Sequence, residues 1–306
     1  MGTSKDLPEK LFHLLRDGQD FRSHCYRGRF APSPTGPLHL GNLRTALVSW
    51  LRARFYKGEW LLRIDDLDTP RNRQGAIESI QRDLLWLGLD WDGPLVLQSQ
   101  RRDLYRSVIS SFKLQDKIYP CRCTRQQLEE RARIKKDCFT YPGTCRDLKL
   151  PWGINQGRFP SLRLRVAKRF SITCGDVVLR RSDGFIAYHL ATVVDEVCLG
   201  ISEVVRGQDL AQVMDCHLAV IEALGQKTLS FRHVPLFFKK DGTKLSKRDG
   251  AAGLQHFQSI GMKAPNVIGL LASSLGIVPE GAVLSASELL SHLRADGNLF
   301  HRTFCD

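Results

Sequence analysis

A chain of 306 residues has the material for one large domain or two modest ones, each with a packed core. Its 45 Lys+Arg against 32 Asp+Glu give a net charge of +13, with basic pairs at Arg101-Arg102, Lys135-Lys136, Arg180-Arg181 and Lys239-Lys240; such a field favours a polyanion, nucleic acid before membrane, because no basic amphipathic helix carries an aromatic stripe. Nine cysteines at irregular spacing do not form a disulfide framework, no apolar run reaches membrane-spanning length, and four Asp/Glu among the first 25 residues fit neither a secretory nor a transit peptide, so the expected location is reducing and cytoplasmic, with no membrane partner.

In chain order, residues 1–25 read as a short helix from Leu7 to Leu15 followed by a linker. Tyr26 to Ala31 reads as a strand that breaks into a turn at Pro32, Pro34, Gly36 and Pro37. A long helix follows, starting at Gly41 or Asn42 and ending at Phe55. The apolar run from Gly58 ends in the carboxylates Asp65, Asp66 and Asp68, which indicates a parallel α/β sheet with its ligand at the strand ends. Gly75 to Leu87 has a helical apolar face, Leu89 to Pro94 and Gln98 to Arg102 read as loop, and Asp103 to Leu114 as a further helix. From Tyr119 the texture changes to a charged helix (Gln126 to Lys136) and alternating segments, Ser161 to Val166 and Ile172 to Leu179, of a small antiparallel sheet. The α/β pattern then resumes with a helix (Ala187 to Glu196), a strand (Gly200 to Arg206), a helix (Asp209 to Leu224) and a strand (His233 to Phe238). A lysine loop and two or three short helices close the chain. The expected boundaries are 1–26, 27–115, an insertion at 116–183, 184–240 and 241–306.

The strand–turn–helix from Arg27 to Asn42 is a ready anion site. The first N–H groups of a helix and its dipole face one point, Gly41 leaves room for a phosphate, and His39 adds a donor. His39-Leu-Gly-Asn42 alone is a weak pattern, and Lys244-Leu-Ser-Lys-Arg248 alone is more often a solvated basic loop. Together, about 200 residues apart, on the first strand–helix turn and after the last strand, they are a far stronger pair. On these residues the chain resembles the class I aminoacyl-tRNA synthetases, whose signatures are HIGH and KMSKS. It is most similar to the glutamyl branch, through Arg29-Phe-Ala-Pro-Ser-Pro-Thr-Gly36, Arg63-Ile-Asp-Asp-Leu-Asp68, Tyr188-His-Leu-Ala-Thr-Val-Val-Asp195 and Val205-Arg206.

The resemblance covers about residues 27 to 250 and implies a Rossmann-like catalytic domain with an inserted zinc-binding α+β subdomain and a C-terminal helical segment. It implies ATP with Mg2+ as co-substrate, contacted by His39, Gly41, Asn42, Lys244 and Lys247. It implies L-glutamate held by Arg29, Phe30, Ala31, Pro32, Ser33, Asp65, Tyr188 and Arg206. Two arginines are a sensible way to choose glutamate over glutamine, although either arginine alone reads equally as half of a structural ion pair. Asp65 stands where the family has an acidic residue, usually Glu, for the substrate ammonium; the shorter side chain leaves direct contact or a bridging water as alternatives.

Cys121, Cys123, Tyr141 and Cys145 offer three thiolates and a phenolate, although spacing alone fits unrelated buried cysteines better. Here the chain resembles the glutamyl-queuosine tRNA(Asp) synthetases, short relatives with this Cys-x-Cys, Tyr-x3-Cys set; the resemblance implies one structural zinc ion, and Cys138, outside that set, is an alternative ligand. Only 58 residues follow Arg248, against about 100 for a typical independent domain, so no separate anticodon-binding domain is expected. Those relatives esterify the queuosine cyclopentenediol at the wobble position of tRNA(Asp), which is the expected acceptor for a monomeric enzyme. The competing expectations are a truncated glutamyl-tRNA synthetase charging the 3′ end of tRNA(Glu), and a non-catalytic tRNA-binding relative.

Overall fold

Strand β1 (Arg27–Phe30) runs parallel to β2 (Glu59–Ile64), with Arg27 opposite Glu59 and Phe30 opposite Leu62, and β2 continues the ladder into the short β3 (Val96–Leu97). Helix α2 (Leu40–Phe55) is the crossover between β1 and β2, as parallel pairing requires. The structure, a computed structural model, describes residues 8–135, 140–155, 157–235 and 253–304, and the chain divides into two units.

One unit comprises His24–Leu97, Ile201–Ala211 and Leu229–Asp306. Besides the first ladder it holds β7 (Glu203–Gly207), parallel to β8 (Ser230–Val234), with Arg206 opposite His233. Strand β7 lies against β1, and the Ser202 N–H donates to the Arg27 carbonyl at 2.9 Å. Helix α2 is buried on nearly all sides because β1 and β2 cover one flank while α9 (Ala264–Ser273) and α10 (Ala286–Ala295) cover another. Its buried charge is paired: Arg52 Nη2 donates to Glu203 Oε1 at 2.7 Å, and Glu203 also accepts from the Tyr26 hydroxyl at 2.6 Å. The core continues from Phe30 and Leu43 through α3 (Ala76–Trp86) and α8 (Leu254–Ser259) to Leu293 and Phe300; the Phe55 and Phe300 rings stack at 3.6 Å.

The other unit comprises Met1–Ser23, Gln98–Gly200 and Gln212–Thr228. An antiparallel sheet of β4 (Ile118–Cys121), β5 (Ser161–Leu164) and β6 (Val178–Arg180) accompanies α1 (Glu9–His24), α4 (Arg102–Leu114), α5 (Arg125–Lys135), α6 (Tyr188–Cys198) and α7 (Met214–Ala223). Asp195 of α6 is fully buried and accepts from Gln98 Nε2, Arg101 Nε and the Tyr105 hydroxyl at 2.9, 2.6 and 2.9 Å. It holds the segment leading into α4.

Several boundaries differ from the sequence expectation. The N-terminal segment is one helix to His24 rather than a short helix and linker. Gly18 does not break it, because a Cβ there would sit 2.1 Å from the Val197 carbonyl; the missing side chain is what lets α1 and α6 touch, and Arg22 then donates to that carbonyl at 3.1 Å. Residues 172–177 are turn rather than strand, since Cys174 and Gly175 N–H groups both bond back to the Phe170 carbonyl. Tyr119–Cys121, unassigned by pattern, is strand, and the expected strand from His233 starts three residues earlier and ends at Val234. A fourth C-terminal helix, α11 (Gly297–Phe304), follows α10. Among the described residues no helix is long and apolar enough to cross a membrane.

Candidate active site

The turn between β1 and α2 is fixed by a capping arrangement that starts the helix at Leu40, not at Gly41 or Asn42. His39 is the N-cap: its Nδ1 accepts from the Asn42 N–H, and Asn42 Oδ1 accepts from the His39 N–H, both at 3.3 Å. A ring accepting at Nδ1 carries its proton on Nε2, so His39 presents a donor at its outer edge. Gly41 has a local role as well as leaving space for an anion. A Cβ there would lie 3.1 Å from the His39 ring, so glycine allows the imidazole to fold over the helix end. The loop ahead is tied at two points, with Pro32 and Pro34 carbonyls accepting from the Asp65 and Arg73 N–H groups at 3.0 and 2.8 Å. Phe30 is buried in the core and Pro32 is buried, Ala31 is half-buried, and Ser33 is exposed at the bend.

Arg29 and Arg206 come from adjacent strands and are 5% and 3% exposed. Arg29 Nη1 donates at 2.8 Å to the carbonyl of Val205, the residue preceding Arg206. Arg206 Nε donates to His233 Nε2 at 3.1 Å and its guanidinium lies 5.0 Å from the Phe231 ring centroid. Burial first, and then the Arg206 charge, hold the His233 imidazole below its ordinary range, which keeps it a neutral acceptor. His233 was not among the expected site residues. The available signal was the parallel register that sets it opposite Arg206, which single-sequence patterns do not give.

Asp65 is held by Arg63 of β2, with Nε to Oδ1 at 2.7 Å and Nη2 to Oδ2 at 3.2 Å, so its carboxylate already has a cationic partner. Tyr188 is the first residue of α6, 40% exposed, and belongs to the unit without the arginines. Lys244 and Lys247 lie outside the described residues.

The expected metal ligands do gather. The Sγ atoms of Cys121, Cys123 and Cys145 lie within 4.8 Å of one another, with Cys123 and Cys145 3.5 Å apart. The Tyr141 hydroxyl lies 3.4 Å from Cys121 Sγ and 3.8 Å from Cys123 Sγ, and accepts from the Cys145 N–H at 2.9 Å. Zinc–sulfur bonds of about 2.3 Å in a tetrahedron put sulfurs roughly 3.8 Å apart, so the cluster fits a zinc ion with little movement. Burial, then Cys121, pushes the Cys123 thiol up to about 11. Burial also opposes ionisation of Cys145, but the Arg122 N–H and the Tyr141 hydroxyl bring that thiol below its usual value. Burial raises the Tyr141 phenol, and the Arg163 guanidinium lies 3.7 Å from its ring centroid. Cys138 lies outside the described residues.

The family model for the catalytic domain of class I tRNA synthetases (E and Q) matches residues 26–271. A glutamyl-Q tRNA(Asp) synthetase of Prochlorococcus marinus (strain MIT 9303) is 58% identical over 294 residues, 96% of this chain and 96% of its own, and one of the same name from Nocardia farcinica (strain IFM 10152) is 44% identical over 82% of this chain and 85% of its own. Among solved structures, a glutamate tRNA ligase from Elizabethkingia meningosepticum in complex with its amino acid is similar at a TM-score of 0.73 and 29% identity; the match covers 87% of this chain and 64% of that one, so the chain spans a little under two thirds of that ligase. A catalytic-domain match over most of the sequence, joined by identity above one half along nearly its full length, means that the chain belongs to the class I tRNA synthetases and, within them, to the glutamyl-Q tRNA(Asp) synthetase family of ligases.

Proposed function

We propose that the protein activates L-glutamate with ATP in the absence of tRNA and then transfers the glutamyl group to the queuosine cyclopentenediol at the wobble position of tRNA(Asp). The observation that carries the glutamate half is the pair of buried arginines on adjacent strands, Arg29 bonded to the carbonyl preceding Arg206. Two guanidiniums give a side-chain carboxylate bidentate partners and give the glutamine amide poor ones. Phe30, Ala31, Pro32 and Ser33 border the amino acid, and Tyr188 supplies a hydroxyl. Asp65, already bonded to Arg63, meets the ammonium through a water rather than directly.

An α-carboxylate oxygen of glutamate attacks the α-phosphorus of ATP in line, and pyrophosphate departs as the bridging P–O bond breaks. No protein nucleophile is needed, only alignment and charge stabilisation. His39 Nε2–H and the N–H groups at the start of α2 donate to phosphate oxygens, Gly41 and Asn42 keep that helix end open and capped, and Lys244 and Lys247 add positive charge. Mg2+, when bound with ATP, neutralises phosphate charge. A hydroxyl of the acceptor diol then attacks the glutamyl carbonyl and gives its proton to the departing phosphate or to solvent; the acyl C–O bond breaks and AMP leaves with that bond's electron pair. The reading of the acceptor rests on the names of the relatives that match along nearly the whole chain. Cys121, Cys123, Tyr141 and Cys145 would hold a structural zinc ion, which would cross-link the antiparallel sheet and take part in no step of the reaction. The enzyme is cytoplasmic and acts as a monomer.

Radiolabelled glutamate tests both halves. Pyrophosphate exchange is expected with glutamate and ATP alone, and label is expected on tRNA(Asp) only when it contains queuosine, within the nuclease fragment that holds the anticodon. Label at a 3′ end, or equal labelling of queuosine-free tRNA, would replace this acceptor with the ordinary one.

A further inference from the structure

A cavity of about 380 Å³ opens beside the Pro/Gly loop, lined by Thr35, Arg73, Gln74, Ser79, Arg82 and Gln255, all in the unit that carries the arginine pair. This is the lower range of sites that enclose small organic groups, roughly 300–1,000 Å³. Its only charged lining among the described residues is two guanidiniums, from Arg73 and Arg82; the first-turn carboxylate of α3, Glu78, does not line it. Its walls are built rather than incidental. The Arg73 N–H donates to the Pro34 carbonyl at 2.8 Å, Asn72 Nδ2 donates to the Asp66 carbonyl at 2.9 Å, and the start of α8 sits close enough that a Cβ on Gly253 would touch the Leu38 carbonyl at 3.4 Å. Helix α3 begins at Gly75 with no side chain capping it, so its positive end also faces this region.

The location limits what the cavity serves. Pro37 is two residues from His39, so their Cα atoms lie within about 7.6 Å, and the cavity wall stands within one nucleotide's reach of the α2 helix end. An RNA loop that offers one sugar-like diol to a glutamyl group at that end must lodge its neighbouring nucleotide close by. Arginine forks suit a phosphodiester, and Gln74, Ser79 and Gln255 are neutral groups that both donate and accept, as contacts to a splayed base require. We propose that this cavity receives the nucleotide adjoining the acceptor in a single-stranded RNA loop, with its phosphate held by Arg73 and Arg82. The proposal rests on the acceptor reading above and makes the contact one of binding, not of adenylate formation.

The test uses the full-length enzyme and queuosine-containing tRNA(Asp), comparing the wild type with Arg73→Gln/Arg82→Gln and with Gln255→Ala. For the double variant, tRNA affinity is expected to fall about 10- to 100-fold and the slope of log K against log[salt] to shrink by about 1–2, while tRNA-independent pyrophosphate exchange stays within about twofold. Gln255→Ala, which removes no charge and keeps the test open if the double variant misfolds, is expected to weaken binding several-fold with an unchanged salt slope. Unchanged affinity in the variants overturns the assignment, and so does loss of pyrophosphate exchange, which would make the cavity part of the ATP site. A wild type that labels tRNA(Asp) while its variants bind normally defeats the cavity alone. A wild type that labels tRNA(Glu) instead defeats the acceptor reading; the same variants are then measured on tRNA(Glu), where an unchanged slope overturns the cavity.

Discussion

At the scale of single residues, Arg206 is the position where a small change is expected to cost most. On the proposed reading, truncation to Ala removes one fork of a buried charged recognition pair, a loss of about 2–5 kcal/mol in glutamate binding. Arg206→Ala is therefore expected to raise the glutamate concentration for half-maximal pyrophosphate exchange by at least about 30-fold, with the ATP dependence little changed; normal glutamate dependence would remove Arg206 from the pocket. Asp83 on α3 makes an opposite kind of prediction. It is 5% exposed, its Oδ2 has no hydrogen-bond partner among the described residues, and burial raises its carboxyl from 3.8 to about 6, partly offset by Arg82. Because the folded value lies above the unfolded one, its contribution to stability is full below about 3.8 and is lost as pH rises through about 6. Asp83→Asn is expected to stabilise the protein by about 1–3 kcal/mol at pH 7.5 and by almost nothing near pH 4, read from denaturant midpoints at the two pH values. Arg29, His39 and Arg206 stand out in the sequence by motif. Their partners were not, because Val205 and His233 reach them through strand register.

At the scale of elements, the thiol cluster joins β4 to the chain around Tyr141–Cys145 in a small sheet with a core of few side chains. Such a core relies on a cross-link more than a large one does. Cys121→Ser is expected to abolish stoichiometric zinc in purified protein and to lower its melting temperature, with pyrophosphate exchange at low temperature retained; metal analysis showing full occupancy in the variant would dismiss the ligand set. Pattern reading found the long helices and parallel strands because their apolar periods are strong. It missed the strand Ile118–Cys121, where Pro120 reads as a breaker, although the sheet accommodates it. It also placed the start of α2 too late, since histidine is an uncommon cap and only the paired Asn42 reveals it.

At the scale of the whole molecule, the strand–helix–strand order and the basic balance of +13 are readable in the sequence, but charge alone fits a merely soluble basic protein as well as a nucleic-acid partner. A split domain is expected from the sequence; what sequence order hides is where the breaks fall, since one unit takes residues 24–97, 201–211 and 229–306. The bond from Arg29 to the Val205 carbonyl spans 176 residues. Closing so long a loop is an entropic cost met late, after local helices and hairpins have formed. On a ribosome Arg29 emerges well before Val205, and for that interval its guanidinium lacks the carbonyl it bonds in the folded chain. If Arg29 and Arg206 together choose the amino acid, as proposed above, a chain halted before residue 201 carries the His39 loop without the second of the two arginines.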